Sequence, residues 1–87
     1  MPDHGDILVL GSGCRSCEAL LENTQEAVRR TGSGLTVGYV TDVRAIAGFG
    51  VMRTPALVFG REVVSVGRVL SADEVAEIMG KHGLVGA

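Results

Sequence analysis

The pattern of hydrophobic and polar positions predicts seven secondary-structure elements along the chain. Residues 7–10 form a continuous apolar run, as expected of a strand that is buried on both faces. Residues 14–30 place apolar side chains at helical spacing, with glutamates early and arginines late on the opposite face. Alternation over residues 35–40 indicates a second strand, and residues 43–47 then form a short helix. The first half is therefore predicted to run β-α-β-α.

The second half begins with a predicted hairpin. An apolar run over residues 56–59 is separated by a Gly-Arg turn from a β-branched stretch over residues 62–66. Ser71, followed three residues later by Glu74, forms a capping box, which predicts the start of a last helix. The complete order is therefore β-α-β-α-β-β-α.

This order predicts an α/β fold. A helix joins the first two strands, so they should be parallel with a right-handed crossover, whereas the hairpin strands are antiparallel. The expected result is a four-stranded mixed sheet with helices on both faces. A chain of 87 residues has room for a single domain, residues 1–87, in which we expect a flexible leader over 1–5 and a frayed tail over 82–87.

Composition and charge argue against several classes of protein. A net charge of −2 and scattered arginines give no basic surface, so we expect no nucleic-acid partner. No apolar stretch approaches the roughly 18 residues that a membrane span requires, so we expect no membrane partner. Residues 1–6 are polar and acidic and lack the features of a signal peptide. We therefore expect a cytoplasmic protein, in which a single pair of cysteines serves redox chemistry more often than structure.

The two cysteines of the chain, Cys14 and Cys17, lie between the first strand and the first helix. Two thiols at this spacing can close a disulfide or hold one soft metal ion. At the start of a helix, the unpaired N–H groups and the dipole stabilise the thiolate of the first cysteine, which is the reactive form. The positive charge of Arg15 should lower the pKa of Cys14 further, and we assign Gly13, directly before the motif, to the same tuning group.

A cysteine pair after the first strand, together with Thr54-Pro55 before the third, resembles the thioredoxin/glutaredoxin superfamily. The chain is most similar to the small redox-active disulfide proteins of bacteria and archaea, which carry a minimal thioredoxin fold. Gly67, which follows the last strand, adds to the resemblance. The chain departs from typical thioredoxins in three ways: glycine replaces the tryptophan before the first cysteine, the first strand has no acidic residue, and Arg15-Ser16 stands between the cysteines in place of Gly-Pro.

The resemblance implies a role for each matching residue. Cys14 corresponds to the attacking thiolate and Cys17 to the buried resolving thiol. Pro55 corresponds to a cis-proline beside the sulfurs, and Arg53 and Thr54 to the backbone segment that pairs with an extended substrate. The implied activity is that of a thiol–disulfide oxidoreductase, which acts on disulfides of proteins or small molecules and receives electrons from a thiol reductase or a low-molecular-weight thiol. We expect it to work as a monomer, without a bound cofactor or metal.

Two other functions would use the same thiols. A soft-metal module would bind copper, mercury or arsenic through Cys14 and Cys17, and a redox sensor would change partner on oxidation without turnover. A closed zinc site needs four ligands, and we expect His4 and His82, near the two ends of the chain, to be exposed to solvent rather than close to the thiols. Met52 could contact a substrate near the site, but we expect it to fill a gap under its loop.

Overall fold

A computed structural model describes residues 6–83, which form three helices and four strands. The elements are β1 (Ile7–Leu10), α1 (Arg15–Thr31), β2 (Val37–Val40), α2 (Val43–Gly48), β3 (Ala56–Phe59), β4 (Glu62–Val66) and α3 (Ala72–Lys81). This is the order that the sequence predicts. The expected leader over residues 1–5 and the last four residues of the expected frayed tail lie outside the described residues. None of the helices within residues 6–83 is long and apolar enough to cross a membrane.

The four strands form one mixed sheet in the order β2-β1-β3-β4, which confirms the predicted fold class. β1 runs parallel to β2 and antiparallel to β3, and β3 and β4 form the antiparallel hairpin. Leu10 pairs with both Val40 and Ala56, and Ala56 also pairs with Val66. These four residues therefore lie at one end of the sheet, which we call the Leu10 end. Four connecting segments meet at this end: those that follow β1, β2 and β4, and the one that precedes β3.

Helices cover both faces of the sheet, as predicted, and each face carries its own hydrophobic core. The core under α1 and α3 consists of Ile7, Val9, Leu20, Ala27, Leu57, Phe59, Leu70, Val75 and Met79. The core under α2 consists of Leu8, Leu10, Val40, Ile46, Val51, Ala56 and Val58. Successive residues of a strand point to opposite faces, so both central strands need apolar side chains at every position. This explains why β1 and β3 are uninterrupted apolar runs.

Local hydrogen bonds set the helix ends near the predicted positions. The capping box of α3 is complete: the Glu74 N–H donates to Ser71 Oγ at 3.1 Å, and the Ser71 N–H donates to Glu74 Oε1 at 2.9 Å. Asp42 caps α2 by accepting a 2.9 Å bond from the Arg44 N–H. Gly32 ends α1 in the left-handed conformation with φ of 63°, which glycine adopts without a steric penalty.

The second strand begins two residues later than predicted. Thr36 lies just before β2, where its N–H donates to Asp6 Oδ2 at 3.1 Å and its hydroxyl accepts from the Asp6 N–H at 3.1 Å. The Thr36 carbonyl still accepts a bond from the Ile7 N–H at 3.0 Å. Side-chain bonds to Asp6 thus take the place of regular ladder bonds at this end, and the alternating pattern extends beyond the strand itself.

Candidate active site

The two cysteines lie at the Leu10 end of the sheet, where the chain passes from β1 into α1. The Gly11 N–H donates to the Val40 carbonyl at 2.9 Å, and Gly13 then turns the chain with φ of 88°, a region that favours glycine. Cys14 is the N-cap residue of α1 and is exposed, whereas Cys17, one turn later, is buried. The two Sγ atoms are 2.9 Å apart and both thiols are free. The chain thus presents an accessible thiol backed by an inaccessible one.

The surroundings of Cys14 favour its ionised form. The Cys17 thiol, as the strongest influence, and then the Cys17 N–H lower the pKa of Cys14 below its ordinary value; partial desolvation opposes them, and the Ser16 N–H adds to the lowering. This is the effect expected of a thiolate facing the free N–H groups of a helix start. The Arg15 guanidinium is not among the groups that produce it. The tuning roles of Arg15 and Gly13 therefore stay predictions.

Gly11 lies in close contact with the buried Cys17 thiol, and the sequence alone does not predict this contact. A Cβ atom added to Gly11 would lie 2.5 Å from both Cβ and Sγ of Cys17, so the residue at this position has no room for a side chain. Gly11 does not have a positive φ, so packing alone requires the glycine. A glycine between a buried strand and a CxxC motif was the available signal, but only the fold reveals which atoms it touches.

Tyr39 reaches the same place from β2. Its Cε1 atom would lie 3.4 Å from a Cβ at Gly11, so the ring and the Cys17 sulfur both lie beside this glycine. The residue is half-buried, but its hydroxyl oxygen is buried and has no hydrogen-bond partner among the described residues. Burial, followed by the charge that Cys17 carries when ionised, raises the pKa of Tyr39. The Gly13 N–H, which lies near the hydroxyl without forming a hydrogen bond of regular geometry, acts in the opposite direction. The phenol therefore keeps its proton at neutral pH.

The Thr54-Pro55 segment lies beside the cysteine loop. Leu10 pairs with Ala56, so Gly11 and Pro55 lie next to each other just beyond the ends of two adjacent strands, and the Thr54–Pro55 peptide bond is cis. The Pro55 carbonyl accepts a 2.8 Å bond from the Gly67 N–H. Within residues 6–83, the backbones of Arg53 and Thr54 make no backbone hydrogen bond. The structure therefore brings the three predicted substrate-binding residues, Arg53, Thr54 and Pro55, to the end of the sheet that carries the thiols.

An apolar groove opens next to this segment. Its lining consists of Ser12, Val43, Ile46, Ala47, Val51, Met52 and Thr54. Met52 is 93% exposed and Val43 is 73% exposed. The prediction that Met52 fills a gap under its loop is therefore wrong: Val51 points into the core and takes that place, which turns Met52 outward.

The described histidine is far from the thiols. His82 packs edge-on against Phe59, with ring centroids 5.3 Å apart, and Phe59 pairs with Ile7 at the end of the sheet opposite Leu10. His4 lies outside the described residues. Across residues 6–83, no three histidine, cysteine or acidic side chains come close enough together to hold a metal ion.

Comparison with known proteins assigns the chain to a family. The family model described as "Thioredoxin domain" matches residues 5–80, which include every element of the fold except the last residue of α3. The chain belongs to the thioredoxin domain family. No solved structure gives a significant match.

Two archaeal relatives agree with the thioredoxin assignment. A thioredoxin of Methanocaldococcus jannaschii is 35% identical over 71 residues, which cover 82% of this chain and 81% of the relative. A thioredoxin of Methanothermobacter thermautotrophicus is 30% identical over 73 residues, which cover 84% of this chain and 95% of the relative. The family and these relatives support a thioredoxin-like redox role in general, in keeping with an exposed and a buried thiol at the start of a helix.

Proposed function

We propose that the protein is a thiol–disulfide oxidoreductase that reduces disulfides of proteins or small molecules with the Cys14–Cys17 pair. One observation carries the proposal: an exposed Cys14 thiol with a lowered pKa, at a helix N-cap, has its sulfur 2.9 Å from that of the buried Cys17. An exposed thiolate can attack, and a second thiol within contact distance can resolve the product. Thiol–disulfide exchange requires both an accessible attacking thiolate and a resolving thiol within reach of it.

The reaction proceeds in two exchange steps. The Cys14 thiolate attacks one sulfur of the substrate disulfide, the substrate S–S bond breaks, and one substrate thiolate leaves and takes up a proton. Cys17 then loses its proton and attacks the Cys14 sulfur. A Cys14–Cys17 bond forms, and the second substrate thiolate leaves. The substrate gains two electrons and the protein loses two, so the dithiol must be regenerated by a thiol reductase or a low-molecular-weight thiol. No bound cofactor enters these steps.

The surface beside the thiols supports an extended peptide as substrate. The backbone N–H and C=O groups of Arg53 and Thr54 are free to pair with a strand-like chain, and Pro55 holds this segment next to Gly11. The apolar groove with the exposed Met52 would take a hydrophobic side chain next to the substrate disulfide. A cytoplasmic location and a monomeric state stay predictions.

Turnover by cysteine variants tests the proposal. With dithiothreitol as reductant and insulin as disulfide substrate, we expect catalysed reduction by the wild type and none by Cys14→Ser. Cys17→Ser should accumulate a mixed disulfide between Cys14 and the substrate, visible by mass spectrometry under non-reducing conditions. Ser33→Ala, at the far end of α1, serves as a matched control and should keep full activity.

The outcome also separates the proposed function from the two alternatives. A disulfide that forms readily in a protein that does not accelerate insulin reduction would contradict the enzyme and favour a redox sensor. Thiols that react only after a tightly bound copper or mercury ion has been removed would favour the metal-binding module. Equal turnover by the wild type and Cys14→Ser would remove Cys14 from the mechanism.

A further inference from the structure

Two buried hydroxyl groups among residues 6–83 have no hydrogen-bond partner, those of Tyr39 and Ser65. Burying a hydroxyl without a partner costs free energy, and replacing it by an apolar group of the same shape is neutral or stabilising. Ser65 lies on the edge strand β4, paired with Leu57, whereas Tyr39 lies on the opposite edge strand β2, and its ring lies beside Gly11 as the Cys17 sulfur does. An unpaired hydroxyl next to a reacting thiol suggests that its partner appears during the reaction.

The resolving step creates such a partner. In the reduced protein the Cys17 thiol bonds to the Cys14 sulfur at 2.9 Å. Once Cys14 is joined to a substrate, it no longer carries a negative charge for the Cys17 thiol to face. Cys17 must then carry the charge while fully buried, and burying a charge costs free energy unless it is hydrogen-bonded. A nearby donor that can turn toward the sulfur would offset part of this cost.

The Gly13 N–H is a second polar donor near the phenol. Burial and the neighbouring charges raise the pKa of Tyr39, so its hydroxyl carries a proton throughout the physiological range and can donate it in a hydrogen bond. The titratable groups that face the phenol are Cys17, Glu18 and Cys14, all at the start of α1. The carboxylate of Glu18 would disfavour a thiolate, and β1, which pairs with β2, contributes only apolar side chains. The Tyr39 hydroxyl is therefore the neutral donor suited to a charge on Cys17.

We infer that Tyr39 is a positioning residue for the resolving step, whose hydroxyl turns to donate a hydrogen bond to the Cys17 sulfur when that sulfur ionises in the mixed disulfide. The Cys17 proton goes to solvent, the Cys17 thiolate attacks Cys14, and the substrate thiolate leaves. Tyr39 keeps its own proton throughout, so no further acid or oxidant is needed. The inference rests on the proposed function, since it assigns a residue to the second exchange step.

The two exchange steps can be observed separately with 5,5′-dithiobis(2-nitrobenzoate). Attack by Cys14 releases one coloured thiolate at a rate proportional to the reagent concentration. Attack by Cys17 on the Cys14 adduct releases the second at a rate independent of that concentration. Cys17→Ser identifies the second phase by removing it. The informative variant is Tyr39→Phe, which removes only the unpaired hydroxyl, and Ser65→Ala is the control that removes the other unpaired hydroxyl, on the opposite edge strand.

We expect Tyr39→Phe to leave the first phase unchanged and to move the pH midpoint of the second phase up by about one unit, the effect of losing one hydrogen bond to a charged group. At any pH below the wild-type midpoint, the fraction of Cys17 present as thiolate in the adduct is then about tenfold smaller in Tyr39→Phe than in the wild type. A more basic thiolate is also more nucleophilic, which restores about threefold, so the net second-phase rate falls about threefold. Above both midpoints the variant should be about threefold faster than the wild type. Ser65→Ala should match the wild type at every pH, and both variants should be at least as stable as the wild type.

The crossing of the two pH profiles distinguishes this role from a structural one. A Tyr39→Phe rate that is lowered by the same factor at every pH would show a displaced Cys17 and would overturn the inference. An unchanged second phase would overturn it as well while leaving the proposed function intact. A wild type without any second phase would contradict the proposed function, and the inference would fail with it.

Discussion

Replacing Gly11 with alanine tests the contact that holds the resolving thiol in place. The added Cβ would lie 2.5 Å from Cys17 Cβ, which the backbone of α1 fixes, and 2.5 Å from Cys17 Sγ. Rotation of the thiol can relieve only the second contact. Gly11 and Cys17 are both buried, so the backbone of β1 or the start of α1 must shift to accommodate the first.

Overpacking a buried site typically costs about 1–3 kcal/mol. In a domain of this size each kcal/mol lowers Tm by roughly 4–8 °C, so Gly11→Ala should melt well below the wild type. Displacement of the Cys17 sulfur should also slow closure of the Cys14–Cys17 disulfide. Urea unfolding monitored by circular dichroism gives the stability, and the second phase of the reaction with 5,5′-dithiobis(2-nitrobenzoate) gives the rate of closure.

Gly48→Ala is the matched control, since a Cβ at this glycine of α2 would meet no atom within 4 Å and the backbone has no positive φ. We expect its stability to be unchanged or to rise by up to about 1 kcal/mol, because alanine restricts the unfolded chain. If Gly11→Ala unfolds at the same urea concentration as Gly48→Ala and closes its disulfide at the wild-type rate, the close packing of Gly11 on Cys17 is refuted.

Three further predictions concern the substrate surface, the last helix and the attacking thiol. Met52→Lys should lower kcat/KM for insulin while changing the free energy of unfolding by less than about 0.5 kcal/mol, because the side chain is 93% exposed; unchanged kinetics would contradict a role for the groove. Ser71→Ala should cost about 1 kcal/mol in urea unfolding without affecting turnover, since it removes the N-cap of α3. A lowered pKa means that Cys14 becomes a thiolate at lower pH than a free thiol, so its alkylation by iodoacetamide should have a lower pH midpoint than that of free cysteine. Cys17→Ala should raise this midpoint more than Arg15→Ala does; the opposite order would favour the charge of Arg15 as the main cause.

Periodicity and local hydrogen-bond chemistry were sufficient to predict the fold class. The apolar runs of β1 and β3 follow from burial on both faces, and the Ser71–Glu74 capping box is a local motif that depends on few other residues. The start of β2 could not be predicted in the same way. Thr36 continues the alternating pattern, but its bonds go to the Asp6 side chain, which is 30 residues away in the sequence.

The sequence also pointed to the thiols but not to what surrounds them. Cys14 and Cys17 follow from spacing and position alone. The close approach of Gly11 to Cys17 and the position of Tyr39 beside Gly11 depend on strand register and helix rotation that no local pattern encodes. Met52 was misplaced for a related reason: either Val51 or Met52 could fill the core under α2, and only the path of the loop decides between them.

The reversible disulfide is the central claim, and a redox titration of the metal-free protein tests it most directly. The protein is equilibrated in buffers of graded reduced and oxidised dithiothreitol, quenched with an alkylating reagent and weighed by mass spectrometry. We predict a single two-electron transition in which Cys14 and Cys17 lose and regain their alkylation together, and no such transition in either Cys→Ser variant. Two thiols that are alkylated in every buffer, or that pair only between molecules, would contradict the account.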